Sequence, residues 1–234
     1  MNFAHFAIWP PADSPVSAIS LAREMAALGQ VSLAPPPFPK DAARGAGQSV
    51  IVIPGFFAPE ISTERLRAFL TAQDFIPHSW AGGINLGPLP NMFQALDRQI
   101  DEITGATGKP VSIVGISLGG TIARELAKRR PDHVARIITL LSPIRLPVVS
   151  PLAPLAQAAA LLWDNGALGA LDALATPPPA PLTALISPQD GIVDWRFCVP
   201  EEKDADIVEI HGPHMTIGSN PDAMRIIADR LSKT

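Results

Sequence analysis

The sequence predicts an α/β fold, a mostly parallel sheet flanked by helices, built as a single domain over residues 1–234. Two observations carry this expectation. Short apolar runs of strand character alternate repeatedly with helical patterns through short links, which is how a parallel sheet covered on both faces is written. The 234 residues suffice for one full core and are too few for two comfortable domains. One stretch breaks the rhythm: residues 143–181 read as a small helical insertion.

Ala12–Gly29 reads as the first helix. Asp13 or Ser14 can cap it, Pro15 suits its first turn, Ile19, Ala22, Met25 and Ala26 keep a helical spacing, and Gly29 closes it. This helix is expected to pack on the outside of the sheet. Pro35-Pro36-Pro37 and Ala42–Gln48 form a loop, rigid first and flexible afterwards. Ser49–Ile53 is a short apolar strand of the kind buried on both faces, and it runs into Pro54-Gly55-Phe56-Phe57. A glycine directly after such a strand allows a tight turn that exposes backbone amides. Pro59–Ala72 is the next helix, with Ile61, Leu66, Phe69 and Leu70 as core positions. Asp74–Trp80 begins strand-like, Ala81–Pro90 is a turn-rich connection whose glycines could border a cleft, and Asn91–Thr104 is a helix with Phe93, Leu96, Ile100 and Ile103 on one face.

Val111–Val114 is a β-branched strand that breaks at Gly115 into a helix with the apolar row Leu118, Ile122 and Leu126. Lys128, Arg129 and Arg130 sit in the last turn, where the helix dipole favours cations, and Pro131 lies just beyond. Val134–Leu141 is another strand. Residues 143–181, rich in Pro, Ala and Leu, hold weak helical pieces at Leu155–Trp163 and Ala167–Leu174 and no strand pattern. Such an excursion from an open α/β sheet is expected to be a lid over the cleft, and its apolar character suits a hydrophobic ligand. Leu182–Ile186 and Asp206–Ile210 are the last strands. Asn220 then caps a terminal helix with Pro221 in its first turn and Ile227 and Leu231 facing inward.

Composition narrows the function classes. The net charge of −4 and the lack of a long basic run leave no electrostatic footprint for nucleic acid. The 47% apolar content beside only 17% charged residues implies that some apolar surface stays exposed. Cys198 is the only cysteine, which rules out an intrachain disulfide and argues against a thiolate metal site, as in a reducing, cytoplasmic location. The opening MNFAHFAIWPPADSP has neither the basic nor the apolar region of a signal peptide. Leu146–Trp163 approaches the length of a membrane span, but Pro147, Pro151 and Pro154 leave only Leu155–Trp163 uninterrupted, against the ~20 residues a spanning helix needs. No integral membrane segment is expected; association into a homo-oligomer is left open.

The chemistry centres on Gly115-Ile116-Ser117-Leu118-Gly119. A sharp strand-to-helix turn holds the serine in a strained conformation, tolerates only small residues two positions to either side, and aims the first amides of the helix at the serine hydroxyl. A serine hydroxyl is a weak nucleophile at neutral pH, so it needs a base and a group that orients the base. The candidates follow the C-terminal ends of later strands, where open α/β sheets place their crevices. For the base the choice is His211 or His214; for the acid it is Asp190 or Asp194, with Asp190, first after its strand and before Gly191, the better placed. The HxxH spacing of the two histidines also matches a metal pair, yet nearby residues supply no third ligand, so neither metal nor other cofactor is expected.

Together GISLGG, IPGFF, INLGP, SPQDGIVDW and HGPHMTIGSNP resemble the α/β-hydrolase superfamily, closest to its lipase- and esterase-like serine hydrolases. The resemblance runs from about Val50 to the C-terminus, leaving aside the first ~48 residues and the lid. It implies Ser117 as nucleophile, Asp190 as acid and His214 as base, with an oxyanion hole of the Leu118 and Phe56 amides. The PGFF loop departs from the HG or GGG pattern of many lipases, which leaves Phe57 as the alternative donor. The activity implied is hydrolysis of a small hydrophobic carboxylic ester through an acyl-enzyme, with base titration near ~6.5. Acyl transfer or thioester hydrolysis on the same triad, and a non-catalytic binding protein on the same fold, are the alternatives.

Overall fold

The computed structural model describes residues 6–7, 14, 16–89, 91–145, 148–159 and 176–233. Its elements are β1 (Phe6–Ala7), α1 (Ala18–Leu33), β2 (Ser49–Ile53), α2 (Glu64–Ala72), β3 (Ile76–Ser79), α3 (Met92–Thr107), β4 (Val111–Ile116), α4 (Leu118–Arg129), β5 (Val134–Leu140), β6 (Val148–Val149), α5 (Ala153–Ala159), β7 (Leu182–Ile186), β8 (Asp206–Glu209) and α6 (Pro221–Leu231). Short 3-10 segments lie at Glu60–Thr63, Trp195–Cys198 and His214–Ser219.

Six strands form one sheet in the order β3-β2-β4-β5-β7-β8, every neighbouring pair parallel. β2, β4 and β7 are fully or almost fully buried because both faces carry apolar side chains and both are covered. On one face Phe69, Leu70, Met224, Ile227 and Leu231 pack on Val50, Val52, Val114 and Leu140; on the other Leu96, Ile100, Ile122 and Leu126 pack on Ile51, Ile53, Ile113 and Ile137. Fully burying one such side chain is worth roughly 1.5–3 kcal/mol.

The register aligns the strand ends. Ile53 pairs with Gly115, Ile116 with Leu140, Leu140 with Leu185 and Ile186 with Glu209. The loops carrying Gly55, Ser117, Asp190 and His214 therefore all leave the same edge of the sheet. After β2 the chain steps outward to β3 and then returns to the other side of β2 as β4, so the strand order reverses between β2 and β4. Crevices in open α/β sheets form at such a switch point.

Several expectations are corrected. Ser17, not Asp13 or Ser14, caps α1, exchanging side-chain and backbone hydrogen bonds with Ser20 in a capping box. The helix passes through Gly29 and ends at Leu33, ahead of Pro35-Pro36-Pro37, which cannot continue it. The expected apolar row faces solvent: Ile19 and Met25 are exposed, and the buried residue is Glu24. The helix docks on the 3-10 segment His214–Ser219 rather than on the outside of the sheet. Ile61 is exposed because it lies in the 3-10 turn before α2, off the helical face. Asn91 precedes α3 in a left-handed conformation, and that helix runs on to Thr107, with Gly108 closing it at φ 66°.

The insertion is not free of strand: β6 pairs in parallel with β1 as a separate two-stranded ribbon. Two residues are too few for alternation to reveal. α5 covers the start of the expected helix at Leu155, while Ala167–Leu174 lies outside the described residues. No described helix is long and apolar enough to cross a membrane.

Candidate active site

The break between β4 and α4 holds Ser117 at φ 53°, ψ −125°. That is a sparsely populated conformation for a residue with a side chain, costing ~1–3 kcal/mol. The surrounding backbone imposes it. A Cβ on Gly115 would lie 2.3 Å from the Gly119 carbonyl oxygen, and one on Gly119 would lie 2.3 Å from the Ile53 carbonyl oxygen. Glycine is therefore the only residue that fits two positions to either side. The Ser117 amide donates to the Leu140 carbonyl at 2.8 Å, pinning the turn to β5. Leu118 begins α4, so its N–H is among the first-turn amides that have no acceptor within the helix.

The loop after β2 runs directly against this turn: a Cβ on Gly55 would lie 3.1 Å from Ser117 Cβ and 3.8 Å from its Oγ. The two candidate donors differ in what already occupies them. The Phe57 amide donates to the Asn85 carbonyl at 2.7 Å, whereas the Phe56 amide makes no hydrogen bond among the described residues. Asn85 is wholly buried and fixes the loop from several atoms at once. Its Nδ2 donates to the Pro54 carbonyl at 2.8 Å, its own amide donates to the Ala58 carbonyl at 3.0 Å, and its Oδ1 accepts from the Gly87 amide at 3.0 Å.

Asp190 and His214 meet. His214 Nδ1 lies 2.7 Å from Asp190 Oδ2, with both side chains buried. The other carboxylate oxygen, Oδ1, accepts the Ile192 and Val193 amides at 2.8 Å each, which fixes the rotamer of the acid. With Nδ1 so engaged, Nε2 is the nitrogen left for proton transfer. Burial pulls the His214 pKa down, but the charge and hydrogen bond of Asp190, together with the charge of Glu24, outweigh it and leave the pKa above the usual histidine value.

The competing candidates are placed elsewhere. Asp194 ion-pairs with Arg196 at 2.6 Å, caps the Trp195–Cys198 turn and accepts a hydrogen bond from Ser14 Oγ at 3.0 Å. Burial raises the Asp194 pKa, but these partners more than compensate and hold it below the usual carboxylate value. His211 is exposed, and its carbonyl accepts from Asn220 Nδ2 at 2.8 Å. The structure thus brings together Ser117, Leu118 and the Phe56 loop on one side and Asp190 with His214 on the other. Among the described residues no hydrogen bond joins Ser117 Oγ to His214; in unliganded sites that contact is often long and tightens when substrate binds.

Two residues of the site escaped the sequence reading. Asn85 stands inside the INLGP motif, but nothing in the sequence gives that side chain a role. Glu24 lies on the face opposite the row of Ile19 and Met25, where it interrupts the stripe Leu21, Leu28 and Val31; an acid inside an apolar stripe is the signal in the sequence that points to it. Its carboxylate, 1% exposed, accepts the amides of Gly191, His214 and Met215, each at 2.8 Å.

A family model described as "alpha/beta hydrolase fold" matches residues 75–184, a span that includes Ser117 and ends before Asp190. No curated protein matches the chain in sequence. Among solved structures, the monoacylglycerol lipase of Paleococcus ferrophilus is 17% identical, with a TM-score of 0.59 over 82% of this chain and 96% of that one. A structure reported for the metagenome-derived lipolytic enzymes LipS and LipT has 13% identity and a TM-score of 0.62 over 82% and 96% of the two chains. The thioesterase domain from the curacin biosynthetic pathway has 15% identity and a TM-score of 0.58 over 82% and 93%. At such identities these neighbours speak to the fold alone, and with the family match across the strand-to-helix turn they agree on it: this chain has the α/β-hydrolase fold.

Proposed function

We propose that this protein is a serine hydrolase that cleaves carboxylic esters with a hydrophobic acyl group, in the cytoplasm. The observation that carries the reading is the buried 2.7 Å contact between His214 Nδ1 and Asp190, set on the same sheet edge as a strained Ser117. His214 Nε2 takes the Ser117 proton as Oγ attacks the ester carbonyl. The tetrahedral oxyanion is held by the amides of Leu118 and Phe56, and its collapse expels the alcohol, which takes the proton from His214. Water, activated by the same base, then hydrolyses the acyl-enzyme and regenerates Ser117. Asp190 keeps the imidazole in its tautomer throughout. Exposed Phe57, Ile84 and Met215, each next in sequence to a residue of the site, favour an apolar substrate.

The test is hydrolysis of p-nitrophenyl esters of increasing chain length by the wild type and Ser117→Ala, alongside labelling by a fluorophosphonate. Turnover and labelling that vanish together in the variant support the serine mechanism, and the chain-length optimum reports the acyl site. An acyl-thioester run in parallel addresses the thioesterase alternative, which shares the triad. A wild type that is folded yet neither turns over nor labels would leave a non-catalytic binding role as the better reading.

A further inference from the structure

We propose that Glu24 is a positioning residue for this site: a carboxylate on α1 that sets the spacing of acid and base by gripping the backbone beside each. The inference rests on the reading of Asp190 and His214 as a catalytic pair. Oε1 accepts the amide of Gly191, directly after the acid, and the amide of His214 itself; Oε2 accepts the amide of Met215, directly after the base. The acid loop follows β7 and the base loop follows β8, and the one side chain binds both. The Asp190–His214 distance therefore depends on a helix that belongs to neither strand.

The chemistry fits a carboxylate and little else. An ionised Glu only accepts, so it can satisfy three converging N–H donors, whereas Gln would turn an NH2 group towards a donor. The close seat of α1 is equally specific. A Cβ on Gly191 would lie 2.8 Å from the Ser20 carbonyl oxygen and 2.9 Å from Glu24 Cγ, so glycine there lets the helix come down onto the loop. The charge has a second consequence. The charged groups acting on His214 are the Asp190 carboxylate from the β7 loop and the Glu24 carboxylate from α1, and both favour the imidazolium formed when the base accepts the serine proton.

The experiment compares full-length wild type, Glu24→Gln, Glu24→Asp and Ser117→Ala. Amide exchange at Gly191, His214 and Met215 and the hydrogen-bonded Nδ1 proton of His214 are followed by NMR; kcat, KM and the pH profile come from an ester substrate. In Glu24→Gln the three amides should exchange ~10-fold or more faster than in wild type while sheet amides do not change. The kcat should fall ~10- to 100-fold with KM nearly constant, as for a small misplacement of catalytic groups. The acid limb of kcat/KM should move to lower pH, because one of the two charges favouring the imidazolium is gone. Glu24→Asp keeps the charge and should hold the limb in place, and it supplies the answer if Glu24→Gln does not fold. Wild-type kcat, limb and exchange in either folded variant would overturn the proposal. If Ser117→Ala matched an inert wild type, the hydrolase reading would fail by itself, and the amide exchange and Nδ1 resonance would still decide whether Glu24 holds the two loops.

Discussion

At the scale of single residues, His214 carries the sharpest consequence. Its pKa lies above the histidine value of 6.5, because the carboxylates of Asp190 and Glu24 outweigh the effect of burial. The sequence alone could only supply the unperturbed value, since nothing in the order of residues says that Glu24 faces residue 214. The reaction needs neutral His214, so kcat/KM should decline on the acid side with an apparent pKa above 6.5. A pH-rate profile on an ester checks this, and an acid limb at or below the ordinary histidine value would mean that burial outweighs the two carboxylates. The effect on stability has the opposite sense. A group whose folded pKa is raised stabilises the fold fully below its unfolded value and loses that contribution as pH rises through the folded value.

At the scale of elements, the six strands of the main sheet are legible in the sequence to within a residue or two, and the first helix is not. Val111–Val114, Leu182–Ile186 and Ser49–Ile53 carry apolar side chains on both faces, so any register buries them, and their assignment survives ignorance of the partners. A helix half in solvent is different, because its buried face depends on what it meets. α1 meets three backbone donors, so the face holding Glu24 turns inward and the face of Ile19 and Met25 is left outside. The same blindness hid Asn85, whose bonds to Pro54, Phe57 and Ala58 link two loops that are distant in sequence. Asn85→Ala should strip its two side-chain bonds, to the Pro54 carbonyl and from the Gly87 amide, and leave these groups unpaired at ~1–3 kcal/mol each. Because those groups hold the turn that presents the Phe56 amide, kcat should fall ~100-fold, the order expected for one lost oxyanion donor. A loss confined to thermal stability, with kcat unchanged in the folded variant, would separate Asn85 from the site.

At the scale of the molecule, the sheet and the reactive edge are held by different parts of the chain. The shared direction of the parallel strands gathers the loops after β2, β4, β7 and β8 at one edge, and the alternation of strands and helices in the sequence implies that parallel sheet. It does not imply the closing of that edge by α1, which joins residues 167 and 190 positions apart. Leu21 on α1 also packs on the cluster of Ile186, Ile192, Val193 and Cys198, so the helix covers the acid loop with apolar surface as well as with hydrogen bonds. Cys198 is a natural reporter of that cover. It is buried, and burial pushes its thiol pKa well up, with the charges of Asp190 and Asp194 adding to the effect. Gly191→Val would force α1 away, since the new side chain meets the Ser20 carbonyl and Glu24 Cγ, while the sheet keeps every strand pair. The far-UV circular dichroism should therefore change little and the melting temperature should fall by about 2–4 °C for each kcal/mol lost. Cys198 should react with a thiol reagent ~10-fold faster or more, in step with the loss of local protection. Reactivity that rises only with global unfolding would mean that α1 is part of the cooperative core, and that sheet and site melt as one unit.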